Sequence, residues 1–333
     1  MSTAFPTSEQ VKHAAQLLCE GKLVAFPTET VYGLGADATN DAAVRAIFTA
    51  KGRPSNNPLI VHVATFEDII RYTNTTQATN PERLRTQLEA LRPLWPGPLS
   101  VVVPKASVLC AAVSAGGPTV ALRIPRHPLA LRLITECGRP VAAPSANPSN
   151  YISPTTAEHV RGSLGAAVSY ILDGGPCEIG IESTVLSLVS DEPTVLRPGA
   201  VTADALEHVL GCPVHEAHIS ATTAAAPLLS PGLLAKHYAP RTPVCLLTGL
   251  DPELCRGLKV GAIVFSKDSS LPVTPQIVLT LSERGALEEV AAKLFAALRE
   301  LDASGLDLIV VDTCEPIGLG AAIMDRLLRA AHS

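Results

Sequence analysis

The chain has 333 residues, a length that predicts two domains, and its 47% hydrophobic and 17% charged residues exclude a largely disordered protein. Aromatic residues make up only 4% of the chain, so the domain cores should be aliphatic. The formal net charge of −5 argues against a protein whose main task is to grip nucleic acid, because such proteins usually carry a basic excess.

Helices and short strands alternate through residues 1–212, which predicts an α/β domain. Thr7 and Gln10 have the spacing of a capping box, so a first helix should begin there, and a second capping box is predicted at Thr155 and Glu158. Helices are also predicted over residues 41–50 and 128–136. Apolar runs predict buried strands at residues 23–26, 59–63, 99–103, 120–124, 141–143, 168–172 and 183–188. Short connections between some strands favour a mixed sheet.

Composition changes at residues 213–241, where proline, glycine and small residues predict an interdomain linker. A new alternation follows over residues 242–333. Strands are predicted at 244–247, 262–265, 277–279 and 308–311, with a clear helix at 287–301. We therefore expect a smaller, Rossmann-like parallel α/β domain of the doubly wound type.

The eight cysteines are scattered without any CxxC spacing, which favours reduced thiols of a cytosolic protein over disulfides or a zinc site. Residues 1–10 are polar and unlike a signal peptide, and no uncharged apolar run is long enough to cross a membrane. We expect a cytoplasmic protein without a membrane partner.

Four short segments combine Gly or Pro with side chains that bind anions or small polar groups: residues 27–35 (PTETVYGLG), 51–54 (KGRP), 144–147 (PSAN) and 196–199 (LRPG). Lys51 and Arg53 follow a predicted helix and precede a strand, so we expect them in a loop. A lysine and an arginine suit a polyphosphate, although this segment alone also fits two solvated basic residues.

The other segments leave similar alternatives. Residues 27–35 could hold a small polar molecule such as an amino acid, or form only a polar hairpin turn with the Tyr32 hydroxyl at the surface. Residues 144–147 follow a strand end, where α/β proteins bind ligands, but capping loops use the same residue types. A lone histidine in an apolar run, as His62 is, usually belongs to the core. The sequence contains neither a P-loop nor a GxSxG elbow, nor a full dinucleotide fingerprint.

Taken together in order, the motifs PTETxYGLG, KxRP, PSAN, ESTV (residues 182–185) and RPG, with SPG and KHYAP in the linker, resemble the threonylcarbamoyl-AMP synthase (YrdC-like) family in its long, two-domain form. The resemblance implies a nucleotidyltransferase that converts L-threonine, bicarbonate or CO2, and ATP into threonylcarbamoyl-AMP and pyrophosphate, for N6-threonylcarbamoyladenosine in tRNA. It also implies a twisted mixed sheet with a concave, basic face, over which the linker folds as a lid.

The resemblance also implies residue roles. The residues matched to catalysis are Lys51 and Arg53. ATP contacts are implied for Lys51, Arg53, Asn57, Thr119, Ser145, Asn147, Ser153, Arg197, His237 and Tyr238. Threonine contacts are implied for Thr30, His62, Arg123, Ala143 and Ser183. Mg2+ should accompany ATP, with no protein ligand assigned. Expected partners are a downstream tRNA threonylcarbamoyl-transfer complex and a weak contact with RNA.

One departure from the family pattern is Asn150, which stands where a glycine is frequent. Asparagine tolerates left-handed backbone geometry, so we expect little effect. Two alternatives remain. A carbamoyl-transfer enzyme with a YrdC-like domain would carry an acylphosphatase-like segment and paired CxxC motifs, which are absent from the sequence. A noncatalytic RNA-binding module is disfavoured by the net charge and the low aromatic content.

Overall fold

The computed structural model describes residues 5–217 and 238–331. The first part of the chain builds a ten-stranded sheet with the strand order β10-β9-β8-β4-β5-β3-β6-β2-β1-β7. Its strands are β1 Val24–Phe26, β2 Gly33–Asp37, β3 Ile60–His62, β4 Leu99–Pro104, β5 Thr119–Arg123, β6 Val141–Ala142, β7 Tyr170–Ile171, β8 Thr184–Ser187, β9 Thr194–Arg197 and β10 His215–Glu216. Parallel pairs such as β3 with β5 alternate with antiparallel pairs such as β4 with β5, so the predicted mixed sheet is confirmed.

Helices cover the two faces of this sheet unequally. They are α1 Ser8–Cys19, α2 Asp41–Lys51, α3 Phe66–Tyr72, α4 Pro81–Leu91, α5 Pro128–Cys137, α6 Ala157–Leu164 and α7 Ala203–Leu210. On one face, α2, α3 and α4 pack on the main aliphatic core. On the other, α1 and α5 cover only the part of the sheet around β1 and β6. The strands β3, β4, β5 and β8 contribute just a small apolar cluster to that second face, so part of it stays open to a ligand.

The capping predictions had different outcomes. Thr7 and Gln10 form the predicted capping box at the start of α1. The prediction at Thr155 was wrong, because the hydroxyl of the next residue, Thr156, accepts the hydrogen bond from the His159 backbone N–H and caps α6. Thr155 instead contacts the His159 imidazole. Gly162 and Gly165 were candidates for the end of this helix; Gly165 follows its last residue, whereas Gly162 lies within it.

The second part of the chain builds a four-stranded parallel sheet with the order β11-β14-β12-β13, which confirms the predicted parallel α/β unit. Its elements are β11 Val244–Leu246, β12 Val260–Val264, β13 Ile277–Thr280, β14 Leu308–Val311, α8 Leu287–Asp302 and α9 Leu319–Ala330. Both helices pack on the same apolar face. Among the described residues, the other face is covered without an α-helix, by the short 3-10 helix Pro252–Cys255 in the connection from β11 to β12 and by loop residues such as Leu271 and Val273.

Strand β10 lies within the range predicted as linker and pairs with β9. Most of that predicted linker, including His237, lies outside the described residues. Among the helices that the structure describes, none combines the length and apolar character needed to cross a bilayer.

Candidate active site

A cavity lies on the open face of the large sheet, and its side chains come from several strands and loops. The space between them, including the part that is open to solvent, is about 530 Å3. His62, Arg123 and Ser100 stand opposite one another on β3, β5 and β4, so their side chains emerge on the same face. On this face, polar side chains therefore stand where apolar ones would be expected if a helix packed on the strands.

The end of α2 places Lys51 and Arg53 at this cavity. Gly52 ends the helix with a left-handed backbone (φ 59°), so the chain turns sharply between the two cations. The prediction of a loop was wrong for Lys51, which is the last residue of the helix. The two side chains are only 4% and 8% exposed, which rules out two solvated basic residues.

Backbone carbonyls hold these cations. The Lys51 ammonium donates to the Ser145 carbonyl at 2.6 Å and also to the Asn147 carbonyl. The Arg53 guanidinium donates to the Asn57 carbonyl at 3.1 Å and to the Asn57 side-chain oxygen at 2.5 Å. The PSAN segment and Asn57 therefore support the cations from behind.

Arg197 ends β9 and forms the third cation of the site. Its guanidinium donates to the Ser183 carbonyl at 2.9 Å and to the Ser183 hydroxyl at 3.2 Å. The Ser183 hydroxyl lies 2.9 Å from that of Ser100. All three residues are buried, so Arg197 is not an ordinary surface arginine.

None of Lys51, Arg53 and Arg197 forms an ion pair with a carboxylate within residues 5–217 and 238–331. Burial lowers the pKa of Lys51 well below its usual value, and it lowers the pKa of Arg53 to about 9. The pKa of Arg197 is lowered for the same reason. Buried cations without counter-ions are costly, and an anionic ligand would offset this cost.

The loop between β1 and β2 contributes a different arrangement. Glu29 and Arg123 form an ion pair of 2.7 Å, and Arg123 also donates to the Thr30 hydroxyl at 3.0 Å. Burial opposes ionisation of Glu29, but the Arg123 charge and the hydrogen bonds from Arg123 and the backbone together outweigh it, so the pKa of Glu29 is lowered. The Tyr32 hydroxyl is not at the surface, since it donates to the Gly175 carbonyl at 2.7 Å and the residue is fully buried.

His62 faces the same cavity. It is 3% exposed, its ring meets Phe26 edge-on at 6.1 Å, and its Nδ1 has no hydrogen-bond partner in the described parts of the chain. Burial, helped by the Arg123 charge, lowers the pKa of His62 to about 3. His62 is therefore not a core histidine with both ring nitrogens hydrogen-bonded. The imidazole is neutral and presents an unused polar atom.

Tyr238, near the end of the predicted linker, lines one side of the cavity. The Tyr238 ring is fully buried, stacks on Phe295 of α8 at 5.5 Å and lies 5.3 Å from the Arg326 guanidinium of α9. Arg326 also bonds Glu182, which lines the cavity. Thus Tyr238, predicted as part of a lid, contacts both helices of the second domain.

Comparison with known proteins identifies the family. Residues 16–199 match a family model described as "Telomere recombination", and residues 201–332 match one described as "Threonylcarbamoyl-AMP synthase, C-terminal domain". A threonylcarbamoyl-AMP synthase of Bacillus subtilis is 44% identical over 97% of this chain and 93% of its own. The chain belongs to the threonylcarbamoyl-AMP synthase family.

Two further relatives agree with this family. A threonylcarbamoyl-AMP synthase of Pyrococcus abyssi is 41% identical over 97% of this chain and 94% of its own. The crystal structure of P. abyssi Sua5 complexed with L-threonine superposes with a TM-score of 0.85, at 40% identity, over 96% of this chain and 94% of that one. The two-domain fold is therefore shared with this family in full.

The residues to which family resemblance gives roles fall into three groups. Nine line the cavity: Thr30, Arg53, His62, Arg123, Ala143, Ser145, Ser183, Arg197 and Tyr238. Four support that wall through hydrogen bonds: Lys51, Asn57, Asn147 and Ser153. Thr119 and His237 form the third group. Thr119 begins β5 whereas Arg123 ends it, so Thr119 lies about 13 Å along the strand from this cavity residue. His237 lies outside the described residues.

Six residues of the cavity wall were given no individual contact from the sequence, although most belong to the predicted motifs, namely Thr28, Val31, Gly33, Ile60, Pro144 and Glu182. Glu182 belongs to the ESTV motif, so its signal was available. Arg326 carried no signal, because nothing local in α9 indicates that its side chain reaches another domain.

The described residues contain no group of three His, Cys, Asp or Glu side chains placed to hold a metal ion. Glu182, the carboxylate in the cavity wall, is already bonded to Ser153 and Arg326. The residues present thus do not form a protein ligand set for Mg2+.

Proposed function

We propose that this chain is a nucleotidyltransferase that joins L-threonine, bicarbonate or CO2, and AMP. With bicarbonate, threonine and ATP give threonylcarbamoyl-AMP, pyrophosphate and water. The neutral threonine amine forms a bond to the carbon of CO2 and loses a proton to water, and an oxygen of the resulting carbamate attacks the α-phosphorus of ATP. The bond from that phosphorus to the bridging oxygen breaks, and pyrophosphate leaves.

The observation that carries this proposal is the set of three buried cations without counter-ions, Lys51, Arg53 and Arg197. A triphosphate supplies several negative charges, and both lysine and arginine bind phosphate well. Cations that already point at the phosphates stabilise the charge that moves onto pyrophosphate without reorganising during the reaction. We therefore place the ATP phosphates on this side of the cavity.

Threonine fits the other side of the cavity, around Arg123. Three of its five N–H donors are used by Gly97, Thr30 and Glu29, which leaves two for a carboxylate. Neutral His62 beside it can hydrogen-bond a polar group of the amino acid through Nδ1. With a pKa of about 3, His62 is too weak a base to remove a proton efficiently near neutral pH.

The chemistry needs no protein nucleophile. A free carbamate is labile, so its formation and its attack on ATP should take place in one enclosed site. Holding both substrates in line lowers the barrier by replacing a bimolecular encounter with a positioned one. Burial of Tyr238 at the edge of the cavity fits the need to exclude water.

Other parts of the proposal extend beyond this cavity. Mg2+ enters as the counter-ion of ATP, that is, with the substrate. The product is passed to a tRNA threonylcarbamoyl-transfer complex in the cytoplasm, where weak RNA contact would accompany the transfer. Two observations on the relatives support the substrates. The name threonylcarbamoyl-AMP synthase supports a product made from threonine and AMP, and the crystal structure with bound L-threonine supports threonine.

Pyrophosphate release from ATP tests this function, with L-threonine and bicarbonate omitted in turn. We expect release only when both are present. Release without either would indicate a plain ATP hydrolase and would contradict the proposal. Salt-dependent RNA binding by the folded protein without any release would favour the noncatalytic RNA-binding module.

A further inference from the structure

Arg326 is a buried cation of the second domain that bonds Glu182 in the wall of the cavity. It belongs to α9 and its side chain is fully enclosed. Its Nε donates to a Glu182 carboxylate oxygen at 2.9 Å, and its Nη1 donates to Asp325 at 2.7 Å. The guanidinium also lies 5.3 Å from the centre of the Tyr238 ring. Arg326 therefore connects the second domain to a carboxylate and an aromatic ring of the site.

Glu182 needs such a partner because of where it lies. It lines the same cavity as Arg53 and Arg197, and its charge raises the pKa of both Lys51 and Arg197 against the effect of burial. One carboxylate oxygen accepts from the Ser153 hydroxyl, and the other faces Arg326. Without Arg326, the Glu182 charge would be left to act on Lys51 and Arg197, whose pKa values it already raises.

The geometry points to Arg326 as a positioning residue for the nucleotide, which acts from the second domain through Glu182. By neutralising this carboxylate and turning it away from Lys51 and Arg197, Arg326 keeps those cations available for the phosphates of ATP. Its contact with Tyr238 holds the ring at the cavity edge. This inference rests on the proposed function, because it takes ATP as the anion of the site.

The simpler alternative is that Arg326 only docks the two domains. Arg299 of α8 separates the two ideas, since it also crosses to the first domain. Arg299 donates to the Ile152 and Ser153 carbonyls and lies 5.0 Å from the Tyr151 ring, but it bonds no carboxylate of the cavity. Both arginines dock the domains, whereas Arg326 alone of the two neutralises Glu182.

The test measures the Kd of an ATP analogue with a non-cleavable methylene bridge between the α- and β-phosphates, by calorimetry on the full chain. We expect Arg326→Met to weaken binding about tenfold or more, which corresponds to about 1.4 kcal/mol. Adding Glu182→Gln to Arg326→Met should restore Kd to within about threefold of the wild type, since no carboxylate then competes for the cations. Arg326→Lys, which keeps the charge, should lie between these values.

Arg299→Met and Arg299→Met/Glu182→Gln are the matched controls, and we expect Glu182→Gln to give no rescue there. The inference is overturned if Arg326→Met binds the analogue as the wild type does, or if Glu182→Gln fails to rescue it. Thermal melts followed by circular dichroism verify folding, and Arg326→Gln replaces Arg326→Met in the same comparison if the latter does not fold. A wild-type protein that does not bind the analogue contradicts the proposed function itself.

Discussion

Glu29 and Arg123 are 94 positions apart in the sequence, yet their side chains form an ion pair of 2.7 Å that is almost closed to solvent. Glu29 lies in the loop after β1, and Arg123 is the last residue of β5. The second Glu29 oxygen accepts from the Arg126 backbone N–H at 3.0 Å. This pair fixes the loop that carries Thr30 against the strand that carries Arg123.

Glu29→Gln should destabilise the protein, because it leaves the Arg123 charge buried without a counter-ion. Breaking such a pair from one side costs about 3 kcal/mol or more. We expect a loss of this size in the free energy of unfolding at pH 7, measured by denaturation in urea. Glu178→Gln is a suitable control, since Glu178 pairs with Arg126 on an exposed surface.

The same pair predicts a dependence on pH. Because the pKa of Glu29 is lowered in the folded state, its contribution is present above its ordinary unfolded pKa and is lost as the pH falls through the folded pKa. The stability difference between the wild type and Glu29→Gln should therefore shrink below about pH 4. A difference that stays constant from pH 7 to pH 3 would refute this assignment.

His62 predicts a loss of stability at mildly acidic pH. Its folded pKa of about 3 lies below the ordinary value of 6.5, so only the unfolded chain takes up a proton between those pH values. Stability is thus complete above pH 6.5 and falls as the pH drops toward 3. Between pH 7 and pH 5 the wild type should lose about 2 kcal/mol more than His62→Gln does. Equal losses in both proteins would show that His62 does not titrate in this way.

Lys51→Met should lower the rate of pyrophosphate release by about a hundredfold or more, because it removes a buried cation behind the cavity wall, next to the proposed phosphate site, but keeps the apolar stem. The Ser145 and Asn147 carbonyls lose their donor, so a smaller loss of stability is also expected. Lys12→Met, at an exposed position of α1, is the control and should leave the rate unchanged. Normal activity of folded Lys51→Met would remove Lys51 from the proposed site.

Asn150 has a left-handed backbone with φ 65°, which confirms the expectation from its place in the family pattern. Asn150→Gly should be tolerated within about 0.5 kcal/mol, since glycine adopts this geometry freely. Asn150→Val should cost about 1–2 kcal/mol or more, because a β-branched side chain is disfavoured there. Thermal unfolding compares the two variants, and equal stabilities would mean that backbone strain is not what selects the residue.

Local patterns predicted the elements whose signals are local. The capping box at Thr7 and the apolar runs of β3, β4 and β5 lie where they were expected. Strand β2 was missed because its sequence, GLGAD, lacks the β-branched and aromatic residues typical of strands. Helix α9 was missed as well, although its apolar residues have helical spacing.

The site itself was recognised through motifs, but its electrostatics could not be read from them. Nothing in the sequence indicates that Lys51 and Arg53 are buried, because burial depends on the packing of the PSAN segment over the end of α2. The pairing of Arg326 with Glu182 joins residues 144 positions apart. Such contacts follow from how the two domains pack, which short-range patterns do not encode.

The most direct test of the account is to follow carbon from 13C-labelled bicarbonate into an adenylate, by mass spectrometry of a reaction with L-threonine and ATP. We expect threonylcarbamoyl-AMP that is one mass unit heavier than the product from unlabelled bicarbonate, and none without L-threonine. An unlabelled adenylate of threonine, or AMP without any adenylate, would contradict the claim that this cavity joins a carbamate to AMP.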